Sequence, residues 1–179
     1  EKGILSAHLT LHVAAGTFQP VKHEDIRQHE MHTEHFSVSS AFVTRLSTHD
    51  GPVIPVGTSV RTLESLYILG TNLLTEKKTK DHLLVEQWEW KHIPQDIPRK
   101  EALDALAKWM HSKGMDRLFA STRLMIIPGY RFALADAMIT NFHQPGSTLL
   151  MLVAAYTGND WRKIYAYALE NGFRFLSYE

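Results

Sequence analysis

The stretch PVIPVGTSVRTLESLY, residues 52–67, carries the pattern that decides the fold. Residues 52–56 are apolar or proline and predict a buried strand, and the Gly-Thr-Ser of residues 57–59 predicts a tight loop. From Val60 to Tyr67 the apolar side chains recur every three or four residues, which predicts a helix. The N–H groups at the start of such a helix face the edge of a sheet and favour polar or anionic ligands.

Similar patterns recur on both sides of this stretch, so strands and helices alternate along the chain. Strands are predicted at residues 9–13, 83–90, 123–127, 132–140 and 173–178, and helices at residues 40–49, 99–113, 147–156 and 161–171. The predicted helix at residues 147–156 is apolar enough to be buried. The predicted helix at residues 99–113 follows a proline and precedes a glycine, which are typical residues at the start and the end of a helix. This alternation predicts an α/β domain.

The composition restricts the class of protein. A hydrophobic fraction of 44% and a charged fraction of 21% over 179 residues are typical of a soluble globular domain, and no apolar run has the roughly 18 residues that a membrane span requires. The 19 basic and 19 acidic residues cancel, so any contact with RNA has to come from a local patch. The absence of cysteine excludes disulfides and a cysteine nucleophile, and we expect a cytoplasmic protein.

A histidine-rich stretch is the first candidate site. His29, His32 and His35 lie among the carboxylates Glu30 and Glu34, and imidazole with carboxylate suits zinc. The intervals of three residues differ from the i, i+4 spacing of helical zinc motifs, which disfavours a metal. A solvated turn and a site of proton transfer are the other interpretations.

Two further clusters contain more polar groups than a connecting loop requires. Arg61 and Glu64 are three residues apart on one predicted helix, where they form either a ligand site at the sheet edge or an ordinary surface ion pair. In the segment NFHQPGST, residues 141–148, a helix cap explains the two hydroxyl residues at its end. Asn141 and His143 remain unexplained by a cap, and we expect them to contact a ligand.

Five motifs in order resemble one known family: LTLHVAAGTFQPV at 9–21, HEMHTE at 29–34, VGTSVRTLE at 56–64, PGYRF at 128–132 and ITNFHQPGSTLLMLV at 139–153. They are similar to the S-adenosylmethionine:tRNA ribosyltransferase-isomerase family of queuosine biosynthesis. The resemblance covers residues 1–70 and 123–179, and it implies that residues 71–122 are a lineage-specific insertion. It also implies that the chain is the C-terminal portion of an α/β barrel-like main domain.

The same resemblance implies that an N-terminal portion and an inserted β-barrel domain are absent, so that the chain alone is inactive. The implied reaction uses S-adenosylmethionine as a ribosyl donor, a co-substrate, and 7-aminomethyl-7-deazaguanine in a tRNA anticodon as the acceptor. Epoxyqueuosine forms, and adenine and methionine leave. Neither a metal nor a membrane is involved.

The resemblance also assigns site residues. The implied catalytic residues are His32, Glu34, Arg61 and His143. The implied substrate-binding residues are His12, Gly16, Thr17, Phe18, Gly57, Thr58, Ser59, Glu64, Asn141, Phe142, Ser147 and Thr148.

Two other functions remain open at this point. One is a metal-dependent hydrolase built on the three histidines between residues 29 and 35. The other is a non-catalytic RNA-binding module, which would use the basic and aromatic residues Lys77, Lys78, Lys80, Trp88 and Trp90.

Overall fold

The structure is a computed structural model that describes residues 3–12, 26–75 and 83–175, and the elements below belong to these residues. The strands are β1 (Thr10–His12), β2 (Glu34–Ser39), β3 (Leu84–Val85) and β4 (Arg117–Thr122). The α-helices are α1 (Ser40–Ser47), α2 (Ser59–Leu74), α3 (Arg99–Ser112), α4 (Thr148–Thr157) and α5 (Trp161–Glu170). Short 3-10 turns occur at Ile26–Gln28, Glu89–His92 and Gly158–Asp160.

The strands form a small open sheet in the order β1-β2-β4-β3. β2 is antiparallel to both of its neighbours, and β3 is parallel to β4. Residues on β4 alternate between buried and more exposed positions, as a pleated strand with one covered face requires, whereas Phe36, Ser37 and Val38 of β2 are all buried. The sheet therefore has a core face, which includes Phe36 and Leu118, and an open face.

The helical layer of the core is built around α2, which is buried from Val60 to Asn72. α2 packs against α3, and α3 packs against α1. A Cβ placed on Gly70 would lie 2.0 Å from the backbone oxygen of Ala102, so only glycine permits α2 and α3 to approach this closely. The two helices are therefore in contact at backbone distance.

Several predicted helices are confirmed, whereas some predicted strands are wrong. The helices at residues 40–49, 99–113, 147–156 and 161–171 correspond to α1, α3, α4 and α5. Residues 52–56 form no strand, because two prolines remove backbone donors and Val56 makes only an isolated bridge to Ile139. Residues 132–140 likewise contain only that bridge.

The other strand predictions are displaced or too long. Residues 123–127 follow β4 instead of forming a strand of their own, although Leu124, Met125 and Ile126 are buried. The predicted strand at 83–90 shortens to β3 and then becomes a 3-10 turn. Phe175 forms an isolated bridge with Phe142, and residues 176–179 lie outside the described part of the chain. The apolar runs in these places thus indicated burial, and they did not indicate a regular strand.

The mixed α/β class is confirmed in the form of helices on a small open sheet. A barrel-like arrangement is not confirmed, since the described strands make an open sheet. An insertion at residues 71–122 is not confirmed either. That segment supplies α3, which packs on α2, and β4, which lies between β2 and β3 in the sheet.

Candidate active site

A buried ion pair between the sheet and α2 is the centre of the candidate site. Arg61 lies in the first turn of α2 and its Nη2 donates to Glu34 Oε1, at the start of β2, over 2.6 Å. The Arg61 side chain is 4% exposed and that of Glu34 is 1% exposed. Burial lowers the pKa of Arg61, and the charge of Glu34 acts in the opposite direction. The alternative of a surface pair between Arg61 and Glu64 is therefore wrong.

His32 extends this pair towards the solvent. Its Nε2 lies 3.2 Å from Glu34 Oε1, the same oxygen that Arg61 contacts, and its side chain is 23% exposed. A partly exposed imidazole thus rests on a buried carboxylate that a guanidinium compensates. This arrangement can hold the imidazole in one orientation for proton transfer.

Glu64 contacts a different part of the molecule. Its Oε2 accepts hydrogen bonds from the Tyr130 hydroxyl at 2.9 Å and the Ala133 N–H at 3.0 Å, and its Oε1 accepts from the N–H groups of Leu134 at 2.9 Å and Ala135 at 3.0 Å. Burial raises the pKa of Glu64, and these four hydrogen bonds oppose that shift. Four internal donors occupy both oxygens, so the geometry favours a role in holding residues 130–135 over the substrate contact that the sequence suggests.

His143 is buried in the loop before α4. Its Nε2 lies 2.7 Å from Thr140 Oγ1, and its backbone N–H donates to the Tyr165 hydroxyl over 3.1 Å. Burial lowers the pKa of His143, so its neutral form predominates at pH 7. Phe142 packs beside it, with ring centroids 4.3 Å from those of both Tyr165 and Phe175. This loop therefore presents a neutral imidazole beside an aromatic stack.

The start of α4 brings this loop close to the buried ion pair. Ser147 caps the helix, since its Oγ accepts from the Leu150 N–H over 3.1 Å. Thr148 and Arg61 line the same small cavity of about 10 Å³, together with Met31. The start of α4 and Arg61 of the Arg61–Glu34 pair thus border the same cavity.

The Gly57-Thr58-Ser59 loop also joins this region. Gly57 adopts a φ of 58°, which favours glycine, and its N–H donates to the carbonyl of Ile139 over 2.8 Å. The Ser59 hydroxyl donates to the carbonyl of Val56, and Thr58 and Ser59 are half-buried. The loop is thereby fixed to the chain just before Thr140 and His143.

A model of the family described as "Queuosine biosynthesis protein" matches residues 1–179. The chain belongs to this queuosine biosynthesis family. The match includes residues 71–122 as well as the five motifs. Proteins of this family act in queuosine biosynthesis.

Among solved structures, this queuosine biosynthesis protein is similar to the S-adenosylmethionine tRNA ribosyltransferase from Thermotoga maritima. The two sequences are 28% identical, and the TM-score is 0.49. The match covers 80% of this chain and 38% of that chain. The chain therefore spans well under half of the length of this relative.

Other predicted site residues of the queuosine biosynthesis protein lie apart from the ion pair or outside the described residues. His12 is exposed on β1, opposite His35 of β2, and Asn141 is exposed. Gly16, Thr17 and Phe18 lie outside the described residues, as do Lys77, Lys78 and Lys80. The substrate contacts predicted for these residues stay predictions.

The metal-dependent hydrolase gains no support from the described residues of this queuosine biosynthesis protein. His35 points to the open face of the sheet, whereas His32 contacts Glu34 on the core face. Within residues 3–12, 26–75 and 83–175, no group of three or more histidines and carboxylates is placed to hold a metal.

In the same ranges, no helix is long and apolar enough to cross a membrane.

One supporting residue of the queuosine biosynthesis protein was not found from the sequence. The Gln87 side chain donates to the carbonyl of His29 over 2.6 Å and accepts from the Met31 N–H over 2.9 Å. The backbone N–H of Met125 donates to the Gln87 carbonyl over 3.1 Å, which attaches Gln87 to the chain beyond β4. Gln87 thus fixes the segment just before His32, and a lone glutamine in a polar stretch gives no sequence signal of this role.

Proposed function

We propose that this chain is the C-terminal portion of an S-adenosylmethionine:tRNA ribosyltransferase-isomerase. The complete enzyme transfers and isomerises the ribosyl group of S-adenosylmethionine onto 7-aminomethyl-7-deazaguanine in a tRNA anticodon. Epoxyqueuosine forms, adenine and methionine are released, and the reaction takes place in the cytoplasm. The observation that carries the proposal is the contact of both His32 and Arg61 with the same buried oxygen of Glu34.

The chemistry requires a base near the ribose of the donor. The sulfonium acidifies the C5′ position, so a base that removes this proton starts the opening of the ribose ring. Adenine then leaves, the amine of the deazaguanine attacks the sugar, and methionine leaves last. His32 is the candidate base, because its imidazole is partly exposed and contacts Glu34.

Glu34 and Arg61 serve this base by charge. The Glu34 carboxylate orients the imidazole of His32 and stabilises the imidazolium that forms when His32 takes a proton. Arg61 compensates the carboxylate, which would otherwise be an isolated charge in the core. His32 and Glu34 thus have proton-transfer and orienting roles, and Arg61 neutralises the negative charge of Glu34.

The loop before α4 serves as the binding side of the site. His143, held neutral by burial, offers a hydrogen bond to a ribose hydroxyl or a base, and Asn141 and Phe142 extend the same surface. Ser147 and Thr148 lie at the N-terminus of α4, where N–H groups favour polar atoms of a ligand. Residues 57–59 and Gly16, Thr17 and Phe18 complete the proposed set of substrate contacts, with His12 on β1.

The test is a mass-spectrometric assay with S-adenosylmethionine and tRNA that carries the deazaguanine precursor, performed on the full-length protein. We expect His32→Ala and Arg61→Ala to lower turnover at least tenfold, with the fold checked by circular dichroism. His111→Ala is the matched control, because His111 lies exposed in the last turn of α3. Absence of epoxyqueuosine with a well-folded wild-type protein would refute the proposed reaction.

Two measurements separate the other candidate functions from this one. Stoichiometric zinc in the purified protein, found by elemental analysis, would point to the hydrolase. Binding of tRNA that weakens with salt, without any turnover, would point to an RNA-binding module.

A further inference from the structure

The open face of the sheet has a distinct composition along β4. Because side chains alternate along a strand, Arg117, Phe119 and Ser121 all point to the open face, and Arg123 continues the series just past the end of β4. Leu118, Ala120 and Thr122 point to the core and are buried. The strand thus presents an aromatic ring between two arginines, over about 20 Å for six residues.

A polar row crosses the sheet next to this series. His12 of β1, His35 of β2 and Ser121 of β4 are register partners, so they lie side by side on three adjacent strands. His35 Nδ1 lies 2.8 Å from Ser121 Oγ. Ser121 is the next residue along β4 after Phe119 on the same face, His35 lies one strand away, and His12 lies two strands away.

Both arginines are held against the sheet by their neighbours. Arg117 Nη1 donates to Ser37 Oγ over 3.2 Å, and Arg123 Nε donates to Thr33 Oγ1 over 2.8 Å. Each guanidinium has five N–H donors in total, so these single bonds leave further donors for a ligand. The side chains are therefore partly ordered before any partner binds, which lowers the entropy cost of binding.

The charge of this face is one-sided. At the positions of β1, β2 and β4 that point to it, the residues are His, Thr, Ser, Phe and Arg, and none is Asp or Glu. Next to this face, the Glu86 carboxylate lies 4.0 Å from Arg123 Nη1. The whole chain has a formal net charge of zero, so this face is a local concentration of cationic groups.

Phe119 is the aromatic element of the surface. It is 73% exposed at the middle of the face, although a single exposed ring by itself would mean little. Phe119 lies between two arginines, on the same face as two imidazoles. Surfaces that bind single-stranded RNA have this composition, because the ring stacks on a base and the cations contact phosphates. An acidic peptide would match the cations but would leave the ring without a stacking partner.

We propose that the open face of the sheet binds a single-stranded segment of tRNA, with one base stacked on Phe119 and phosphates contacted by Arg117 and Arg123. The proposal rests on tRNA as the substrate of the proposed function. It places the RNA on the face opposite to Glu34 and Arg61, which point to the core. His35 lies on the strand next to Phe119 and offers a hydrogen bond to the edge or the ribose of the stacked base, and His12 lies one strand farther along the same face.

The test measures the affinity of the full-length protein for an anticodon stem-loop, by fluorescence anisotropy over a series of salt concentrations. We expect Phe119→Ala to weaken binding about tenfold and Phe119→Tyr to retain it, because tyrosine keeps the stacking face. Arg117→Gln and Arg123→Gln should each reduce the salt slope by about 1, since each removes one phosphate contact.

Matched controls lie elsewhere on the surface. Phe173→Ala removes an exposed ring near the end of α5, and Lys108→Gln removes an exposed cation on α3. Both should leave the affinity and the salt slope unchanged. Equal effects of Phe119→Ala and Phe173→Ala would overturn the proposal.

Two further outcomes are distinguishable. If Phe119→Ala lowers the melting temperature by several degrees and leaves RNA affinity intact, another part of the protein or a second copy covers this face, and the proposal is wrong. If RNA binding depends on Phe119 but the wild-type protein gives no epoxyqueuosine, the RNA surface stands and the proposed reaction fails.

Discussion

Arg61 and Glu34 form a buried ion pair with 2.6 Å between Nη2 and Oε1, across 27 positions of the sequence. Each residue alone would be an isolated charge in the core, so neither can be replaced without affecting the other. We expect Arg61→Met to lower the free energy of unfolding by about 3–5 kcal/mol. The Arg61→Met/Glu34→Gln double variant should lose less than the sum of the two single variants, in urea titrations that include exposed Arg45→Met as the control.

Glu64 provides a second prediction, because its two oxygens accept four hydrogen bonds from residues 130–135. In Glu64→Gln one oxygen becomes an NH₂ group, which cannot accept from the N–H or O–H donors that face it. We expect a loss of roughly 2–3 kcal/mol in the free energy of unfolding, measured by urea titration. Glu101→Gln, at an exposed position of α3, should change it by less than about 0.5 kcal/mol. A loss no larger than that of the control would contradict the role given to Glu64.

The lowered pKa of His143 predicts a pH dependence of stability. Between the folded pKa and the unfolded value near 6.5, the unfolded state binds more protons than the folded state, so stability rises with pH through this window. The contribution is complete above the unfolded pKa and is lost as the pH falls through the window. We therefore expect His143→Gln to have a smaller difference in melting temperature between pH 7.5 and pH 5.5 than the wild-type protein. Identical differences would show that His143 titrates normally.

The contact between Gly70 and Ala102 predicts a strong effect of one methyl group. In Gly70→Ala the new Cβ would lie 2.0 Å from a backbone oxygen, which cannot move as a flexible side chain could. α2 and α3 would have to separate, at a cost of about 3 kcal/mol or more, beyond the gain in helix propensity of about 1 kcal/mol. Differential scanning calorimetry measures the melting temperature of Gly70→Ala and of the control Leu74→Ala, which changes an exposed residue of the same helix. A melting temperature equal to that of the wild type would mean that the two helices are farther apart.

Gln87 leads to a prediction about turnover, since it fixes the backbone at His29 and Met31, just before His32. Gln87→Ala should lower kcat several-fold and broaden its pH profile, because His32 loses its defined position on Glu34. Gln87→Glu should recover part of kcat, since its carboxylate still accepts from the Met31 N–H. Gln28→Ala is the control, at an exposed position of the preceding 3-10 turn. Normal kcat in Gln87→Ala would assign Gln87 a purely structural role.

The helices and the polar clusters could be predicted from the sequence, because both depend on local spacing. The partners within the clusters could not. Arg61 and Glu64 are three residues apart, and a helix that is exposed on one side would pair them. α2 is buried nearly all round, so Arg61 contacts β2 and Glu64 contacts residues 130–135. Long-range packing selected each partner, and no local pattern contains that information.

The strand predictions failed for a related reason. Residues 52–56 have the composition of a strand, but a strand also needs a neighbour with matching donors and acceptors, and prolines 52 and 55 have no N–H to offer. The N–H of Val53 instead donates to the Asp136 carboxylate over 2.8 Å. Arg99 donates to the same carboxylate oxygen over 2.8 Å, so Asp136 joins this segment to α3.

Two adjacent residues of β2 point to opposite faces of the sheet: Glu34 points to the core and His35 points to the open face. Because side chains alternate with a period of two, deletion of one residue within this strand would exchange the two. The carboxylate would then lie in solvent and an imidazole would replace it beside Arg61. The number of residues inside β2 is therefore fixed by the chemistry on its two sides, and α1 begins directly after the strand at Ser40.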